Sequence, residues 1–157
     1  MTRDLNATTL HELLSADHAE MRSLSQEFLN AVHANDWSGA DAIFGRLEQL
    51  VERHMSFEEE QVFPVFDDYP GQVPSEALEP MRSQHEDIRK ALQETGISLQ
   101  LHQVREPVMQ ALTAALDKHA AAEDAWADAV LEEFNKTGAG NTILQRLRSI
   151  VREPRGG

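Results

Sequence analysis

Four histidines and two glutamates have the types and spacing needed to bind metal ions. Two of the histidines are followed by a glutamate four residues later, in the pairs His54–Glu58 and His119–Glu123. Side chains four residues apart lie on one face of a helix and can reach the same ion. Imidazole nitrogen and carboxylate oxygen together suit iron or manganese, with zinc as the alternative. The other two histidines of this set are His18 and His85.

Each of these histidines lies within a segment of helical periodicity. Apolar residues recur at spacings of three, four and seven, which predicts helices over about 9–34, 38–63, 75–96 and 106–135. Pro64 should kink or end the second helix, and residues 97–105 form either a turn or an extension of the third. His18 shares its stripe with Leu14 and Met21, and the other three histidines also lie on apolar stripes. The sequence therefore predicts one inward-facing histidine on every helix.

Length and composition indicate how these helices are arranged. A chain of 157 residues with 41% hydrophobic residues is large enough for one domain with a buried core. Short connections favour an all-α, antiparallel, up-down-up-down four-helix bundle over residues 1–136. Residues 137–157 are predicted to form a hinge, a short basic amphipathic helix and a tail. We expect this helix to pack on the acidic bundle, with docking to a protein partner as the alternative.

Charge and cysteine content exclude several classes of function. The formal net charge of −13 disfavours binding to nucleic acid or to an anionic membrane surface. The absence of cysteine excludes disulfides, thiolate metal sites and iron–sulfur clusters. No signal peptide or membrane span is evident from the sequence, so the expected location is the cytoplasm.

The combined pattern resembles the hemerythrin-like, or HHE cation-binding, family over roughly residues 9–135. It consists of His18 after an aspartate, a His-x-x-x-Glu-Glu motif on helix two that precedes Phe-Pro, a histidine on helix three and a second His-x-x-x-Glu on helix four. The resemblance implies a non-haem pair of iron ions bridged by two glutamates, with an oxygen, hydroxide or water completing the bridge. The implied ligands are His18, His54, Glu58, His85, His119 and Glu123.

Two positions bear on which branch of the family the chain resembles. Oxygen-carrying hemerythrins have an additional histidine on the third helix, where this chain has Met81. They also have an aspartate five residues after the last histidine, a spacing that Asp124 satisfies, so Asp124 is the alternative to Glu123. With one histidine fewer, the centre should have open coordination sites. Open sites favour reaction or sensing over reversible oxygen carriage.

The leading functional hypothesis is a di-iron protein that binds or reacts with oxygen, peroxide or nitric oxide during redox or nitrosative stress. The sequence leaves open whether it is an enzyme, and it shows no catalytic group beyond the metal ligands. The alternative is an iron- or oxygen-responsive sensor without turnover that acts through a partner. A metal-free structural bundle and a haem pocket are weaker alternatives. A ferritin-like oxidase is disfavoured because none of the four histidines has a glutamate three residues before it.

The remaining polar and aromatic candidates receive simpler interpretations. We expect His11 to be exposed near the start of the first helix, with a role near the metal as the alternative. His33 and His102 should face solvent near helix ends. Glu59 should lie on the surface beside the ligand Glu58. Trp126 should be a core residue, with a place in the wall of the metal pocket as the alternative.

Overall fold

A computed structural model describes residues 7–68 and 78–137. They form helices α1 (Ala7–His33), α2 (Trp37–Phe57), α3 (Phe63–Asp67), α4 (Leu78–Gln100) and α5 (Glu106–Thr137), with a π-helical segment (Glu58–Val62) between α2 and α3. No strand occurs in these two ranges, which confirms the all-α prediction. The predicted start of the third helix at Ser75 and the predicted C-terminal amphipathic helix lie outside the described residues.

The four long helices pack side by side. Helix α1 contacts α2 and α5, and helix α4 contacts the same two helices. Each long helix therefore has two neighbours, as in a four-helix bundle. Within residues 7–68 and 78–137, no helix is both long and apolar enough to cross a lipid bilayer.

Helix α2 begins at a side-chain cap. Asp36 precedes the helix, and its carboxylate accepts a hydrogen bond from the backbone N–H of Gly39 at 3.0 Å. This bond satisfies one of the N–H groups that have no partner in the first turn of a helix. A Cβ atom at position 39 would overlap the Asp36 carboxylate, so glycine leaves room for the cap.

The end of α2 differs from a simple kink at proline. The chain continues from Phe57 into the π-helical segment, in which the Phe63 N–H bonds to the carbonyl of Glu58, five residues earlier. Pro64 then lies in the first turn of α3, where its missing N–H needs no helical partner. The wider π turn begins at Glu58, one of the predicted metal ligands, and single π turns are frequent at functional sites.

Helix α4 extends beyond the predicted stop near Gly96 and ends at Gln100. A glycine inside a helix costs about 1 kcal/mol relative to alanine. Here a Cβ atom at position 96 would lie 3.4 Å from the Phe44 ring, an ordinary contact distance, so Gly96 lies beside α2 but the packing does not require a glycine. Leu99, three residues later, is buried in the core and holds the last turn in place. Residues 97–100 are therefore a helical extension, followed by a turn.

The core consists of two apolar clusters, and each long helix contributes to both. The first cluster contains Phe28, Phe44, Leu47, Val51, Ile88 and Leu116, among others. The second contains Leu14, Phe57, Phe63, Phe66, Met81 and Trp126, among others. On each long helix, the predicted metal-binding histidine lies near the point where one cluster gives way to the other. The polar site therefore occupies a layer between two apolar regions.

Candidate metal centre

The six predicted ligands all lie in the interior. None of them exposes more than 4% of its surface: His18, His54, Glu58, His85, His119 and Glu123. One histidine comes from each long helix, as the sequence predicts. Burying ionisable groups is unfavourable unless they are paired or coordinate a cation. The concentration of so many in one layer therefore requires a compensating interaction.

Imidazole Nε2 atoms converge on the carboxylate of Glu58. The Nε2 atoms of His54, His85 and His119 lie 3.0, 3.2 and 3.2 Å from Glu58 Oε1. These rings belong to three different helices, α2, α4 and α5. Glu58 therefore lies where three helices meet.

Glu123 forms a second focus of histidine nitrogens. Its Oε1 lies 3.0 Å from Nε2 of His18 and 3.2 Å from Nε2 of His54. Its Oε2 lies 3.1 Å from Nε2 of His119. The two glutamates thus share His54 and His119 as neighbours, which brings all six side chains into one site.

The ligating atoms form two overlapping groups compact enough to hold a metal ion. The first comprises His18, His54, His119 and Glu123, and the second comprises Glu58, His85 and His119. Within each group, all ligand atoms lie within 4.8 Å of one another. The group around Glu123 has three histidines, whereas the group around Glu58 has two. His119 belongs to both groups but offers one ligand atom, so the two positions would share four histidines between them.

Several of these buried atoms have no hydrogen-bond partner among the described residues. They are Glu58 Oε2, both carboxylate oxygens of Glu123, Nε2 of His54 and both ring nitrogens of His18. The Nε2 atoms of His18 and His54 lie close to carboxylate oxygens, but the angles do not satisfy hydrogen-bond geometry. Unsatisfied buried polar atoms are rare in folded proteins. Nitrogen and oxygen atoms left in this state fit a metal-binding site.

Each histidine points its other nitrogen, Nδ1, away from this centre. Nδ1 of His54 lies 2.9 Å from the buried Asp17, and Nδ1 of His119 lies 3.1 Å from the Gln84 side-chain carbonyl. When a metal binds, acceptors on Nδ1 favour the tautomer in which Nε2 presents its lone pair to the ion. The same outward arrangement occurs at His85, whose Nδ1 lies 3.1 Å from Glu59.

These outer partners were not assigned from the sequence. Asp17 directly precedes His18, but neighbouring residues on a helix point about 100° apart, and Asp17 reaches His54 on α2 instead. Glu59 was predicted to lie on the surface, yet it is only partly exposed and bonds to both His85 and Arg89. Its position inside the π-helical segment turns it toward α4. The sequence offers one signal, which is the position of Asp17 on the otherwise apolar stripe of α1 between Leu14 and Met21.

Asp124 and Met81 occupy different environments from the six central residues. The Asp124 side chain is 41% exposed and lies 3.5 Å from Nδ1 of His18, on the outer side of that ring. It belongs to neither ligand group, so the geometry favours Glu123 over Asp124. Met81 is buried within the second apolar cluster, together with Trp126.

Electrostatics in the metal-free site centre on His54 and Glu58. Burial disfavours the charged form of His54, but attraction to Glu58 and the hydrogen bond to Asp17 outweigh it and raise the His54 pKa to about 9. Burial also favours neutral Glu58, yet the His54 charge and bonds from neighbouring histidines hold its pKa well below the usual range. Burial lowers the pKa of His18 and of His119. One imidazolium–carboxylate pair therefore stabilises the site when no cation is bound.

The histidines and the tryptophan outside the centre lie largely where the sequence predicts them. His33 and His102 are exposed, and His102 stacks on Trp37 with ring centroids 4.9 Å apart. His11 is partly exposed and lies 3.5 Å from Asp124. Trp126 is buried and packs edge-on against Phe66, as expected for a core residue.

Comparison with known proteins places this site in a family. A family model described as the hemerythrin HHE cation-binding domain matches residues 9–127, which is most of the chain. That range includes all six residues of the centre. Searches of curated proteins and of solved structures give no significant match. The chain belongs to the hemerythrin HHE cation-binding domain family.

Proposed function

We propose that the protein holds two iron ions in this layer, with His18, His54, Glu58, His85, His119 and Glu123 as ligands. Manganese and zinc are the alternative metals for such a donor set. The proposal rests above all on the buried carboxylate oxygens of Glu58 and Glu123 that lack hydrogen-bond partners among the described residues. In a metal-free bundle these oxygens would be buried without hydrogen bonds.

The placement of the site suggests an antiparallel arrangement of the long helices. Along α1 and α4 the chain passes from the second apolar cluster to the first, and along α2 and α5 it passes from the first to the second. The α1–α2 and α4–α5 connections also meet, because His102 stacks on Trp37 and His33 bonds to Glu106 at 2.7 Å. Both observations support an up-down-up-down bundle, which would bring the four histidines to the same depth.

Bound iron would supply redox chemistry toward oxygen, peroxide or nitric oxide. The protein's own contribution is to fix the six side chains, orient the imidazoles through Asp17, Gln84 and Glu59, and exclude bulk water with the two apolar clusters. Four histidines serve the two proposed positions, because His119 belongs to both ligand groups. We infer that the open coordination site lies on the Glu58 and His85 side, where Met81 replaces the additional histidine of the oxygen carriers.

The direct test is metal content by plasma mass spectrometry on untagged protein loaded anaerobically with ferrous iron. We expect about two irons per chain and an ultraviolet-visible band that changes when peroxide is added. Protein that remains metal-free after this treatment would refute the proposal. The histidines would then have to be explained as core residues.

A sensor without turnover remains the second proposal, and steady-state assays separate it from a reactive centre. Repeated consumption of peroxide or nitric oxide by the iron-loaded protein would indicate an enzyme, in agreement with the proposed role in a cytoplasmic stress response. Binding of one ligand equivalent without further consumption would indicate an iron- or oxygen-responsive module. In that case a change in bundle stability would be transmitted to a protein partner.

A further inference from the structure

A cavity that is partly open to solvent lies between α1 and α5 and is lined in part by His18 of the proposed centre. Its volume is about 100 Å³, and its walls include His18, Met21, Ser25, Thr113, Leu116 and Ala120. A space of this size admits a few water molecules or one molecule of peroxide size. His18 is the one residue of the proposed metal centre in this wall, so the cavity reaches the ligand set from the α1 side.

Ser25 provides an unsatisfied polar group inside this cavity. The residue is only 8% exposed, and its hydroxyl has no hydrogen-bond partner among the described residues. Serine inside a helix often bonds to a carbonyl of the preceding turn, which would have satisfied the group locally. Ser25 follows His18 by seven residues, or about 10 Å along the helix, on the same face. Its hydroxyl is therefore available to a small molecule on the way to His18.

The mouth of the cavity carries charges of both signs. Arg22 on α1 and Asp117 on α5 lie 3.8 Å apart, and both side chains are largely exposed. Exposed ion pairs of this kind contribute little stability, so the mouth can open at small cost. Because the charges of Arg22 and Asp117 cancel, the mouth does not attract anions locally, and the protein's net charge of −13 repels them. These features disfavour an anion, and the largely apolar walls disfavour a cation, so an uncharged molecule is favoured.

We propose that this cavity is the access route by which small uncharged molecules, of diatomic or peroxide size, reach the metal centre, and that the Ser25 hydroxyl hydrogen-bonds to polar molecules in transit. The inference rests on the proposed function for its destination. The cavity itself can be tested without any metal.

The first test uses protein labelled with ¹³C at its methionine methyl groups and dissolved oxygen under pressure as a paramagnetic probe. Met21 lines the cavity, whereas Met55 and Met81 are buried in the core away from it. Oxygen should enhance relaxation of the Met21 methyl more than relaxation of the other two. Ser25→Leu, which fills the cavity, should remove this difference. Ser23→Leu, on the exposed face of the same helix, should leave it unchanged.

The second test uses iron-loaded protein and the rate of the spectral change after peroxide is added. Ser25→Leu should slow this change roughly tenfold or more while iron content stays the same. Thr113→Leu narrows the cavity from α5 and provides a second variant should Ser25→Leu fail to fold. If oxygen relaxes the three methyl groups equally and both variants react with peroxide at the wild-type rate, the proposed access route is wrong. The proposed iron site would not be affected by that result. Failure to bind iron would refute the proposed function, and the oxygen measurement would still decide the cavity.

Discussion

Oδ2 of Asp17 on α1 lies 2.9 Å from Nδ1 of His54 on α2, and both side chains are buried. This contact turns the opposite ring nitrogen, Nε2, toward Glu58 and Glu123. A residue that binds no metal in our proposal thus determines how a ligand from another helix is presented. The same principle applies to Gln84 at His119 and to Glu59 at His85.

Removing the Asp17 carboxylate should weaken metal binding without removing a ligand. We expect Asp17→Ala to lower metal affinity about 10- to 100-fold, because the His54 ring loses the acceptor that fixes its orientation. Asp17→Asn keeps an acceptor oxygen, so its metal affinity should decrease less than that of Asp17→Ala. Competition with a chelator of known affinity measures the effect, and Glu20→Ala on the exposed face of α1 is the matched control. Equal affinities for Asp17→Ala and the control would contradict the orienting role.

Replacing the central glutamates with isosteric amides should remove metal. Glu58→Gln and Glu123→Gln each eliminate a buried anionic ligand while keeping the side-chain volume, so each should reduce iron content to about one ion per chain or less. Glu60→Gln changes an exposed residue of the same π-helical segment and should retain full loading. Iron counting by mass spectrometry provides the measurement. Full loading of both amide variants would rule out the assigned ligands.

Metal removal should lower thermal stability. A ligand present at about 100 times its dissociation constant stabilises the folded state by about 2.7 kcal/mol, which corresponds to roughly 5–10 °C in Tm for a chain of this length. Thermal unfolding followed by circular dichroism, with and without a chelator, measures the shift. A double variant, Glu58→Ala with Glu123→Ala, should show no chelator effect. If the chelator leaves the Tm of the wild-type protein unchanged, the bundle contains no stabilising metal.

The metal-free protein should lose stability as the solution becomes alkaline. The folded state raises the pKa of His54 from 6.5 to about 9, because Glu58 and Asp17 outweigh the effect of burial. The stability that protonated His54 adds to the folded state is fully present below about pH 6.5 and is lost as the pH rises through about 9. We expect the free energy of unfolding to decrease by on the order of 1–3 kcal/mol across that interval. Urea unfolding in the presence of chelator measures this decrease. Glu58→Gln removes the main attraction and should flatten the dependence, and an equally steep decrease in that variant would contradict this assignment.

Local periodicity is enough to specify the helices and the inward direction of the ligands. A histidine that shares a stripe with Leu14 and Met21 must face the core wherever the helix packs. The His-x-x-x-Glu spacing likewise places Glu58 one turn after His54 in any helix. These regularities predicted all six central residues and the approximate extent of α1, α2 and α5.

Which side chains meet across helices depends on how the helices pack in three dimensions. The contacts of Asp17 with His54 and of Gln84 with His119 depend on the relative rotation and height of two helices, which no spacing within one helix specifies. Burial of Leu99 in the core carried α4 past Gly96, and the π-helical segment turned Glu59 toward His85 and Arg89. The cavity at Ser25 also exists only because α1 and α5 leave space between them. Periodicity encodes the face that a residue occupies, whereas the neighbours it finds there are set by how the helices pack.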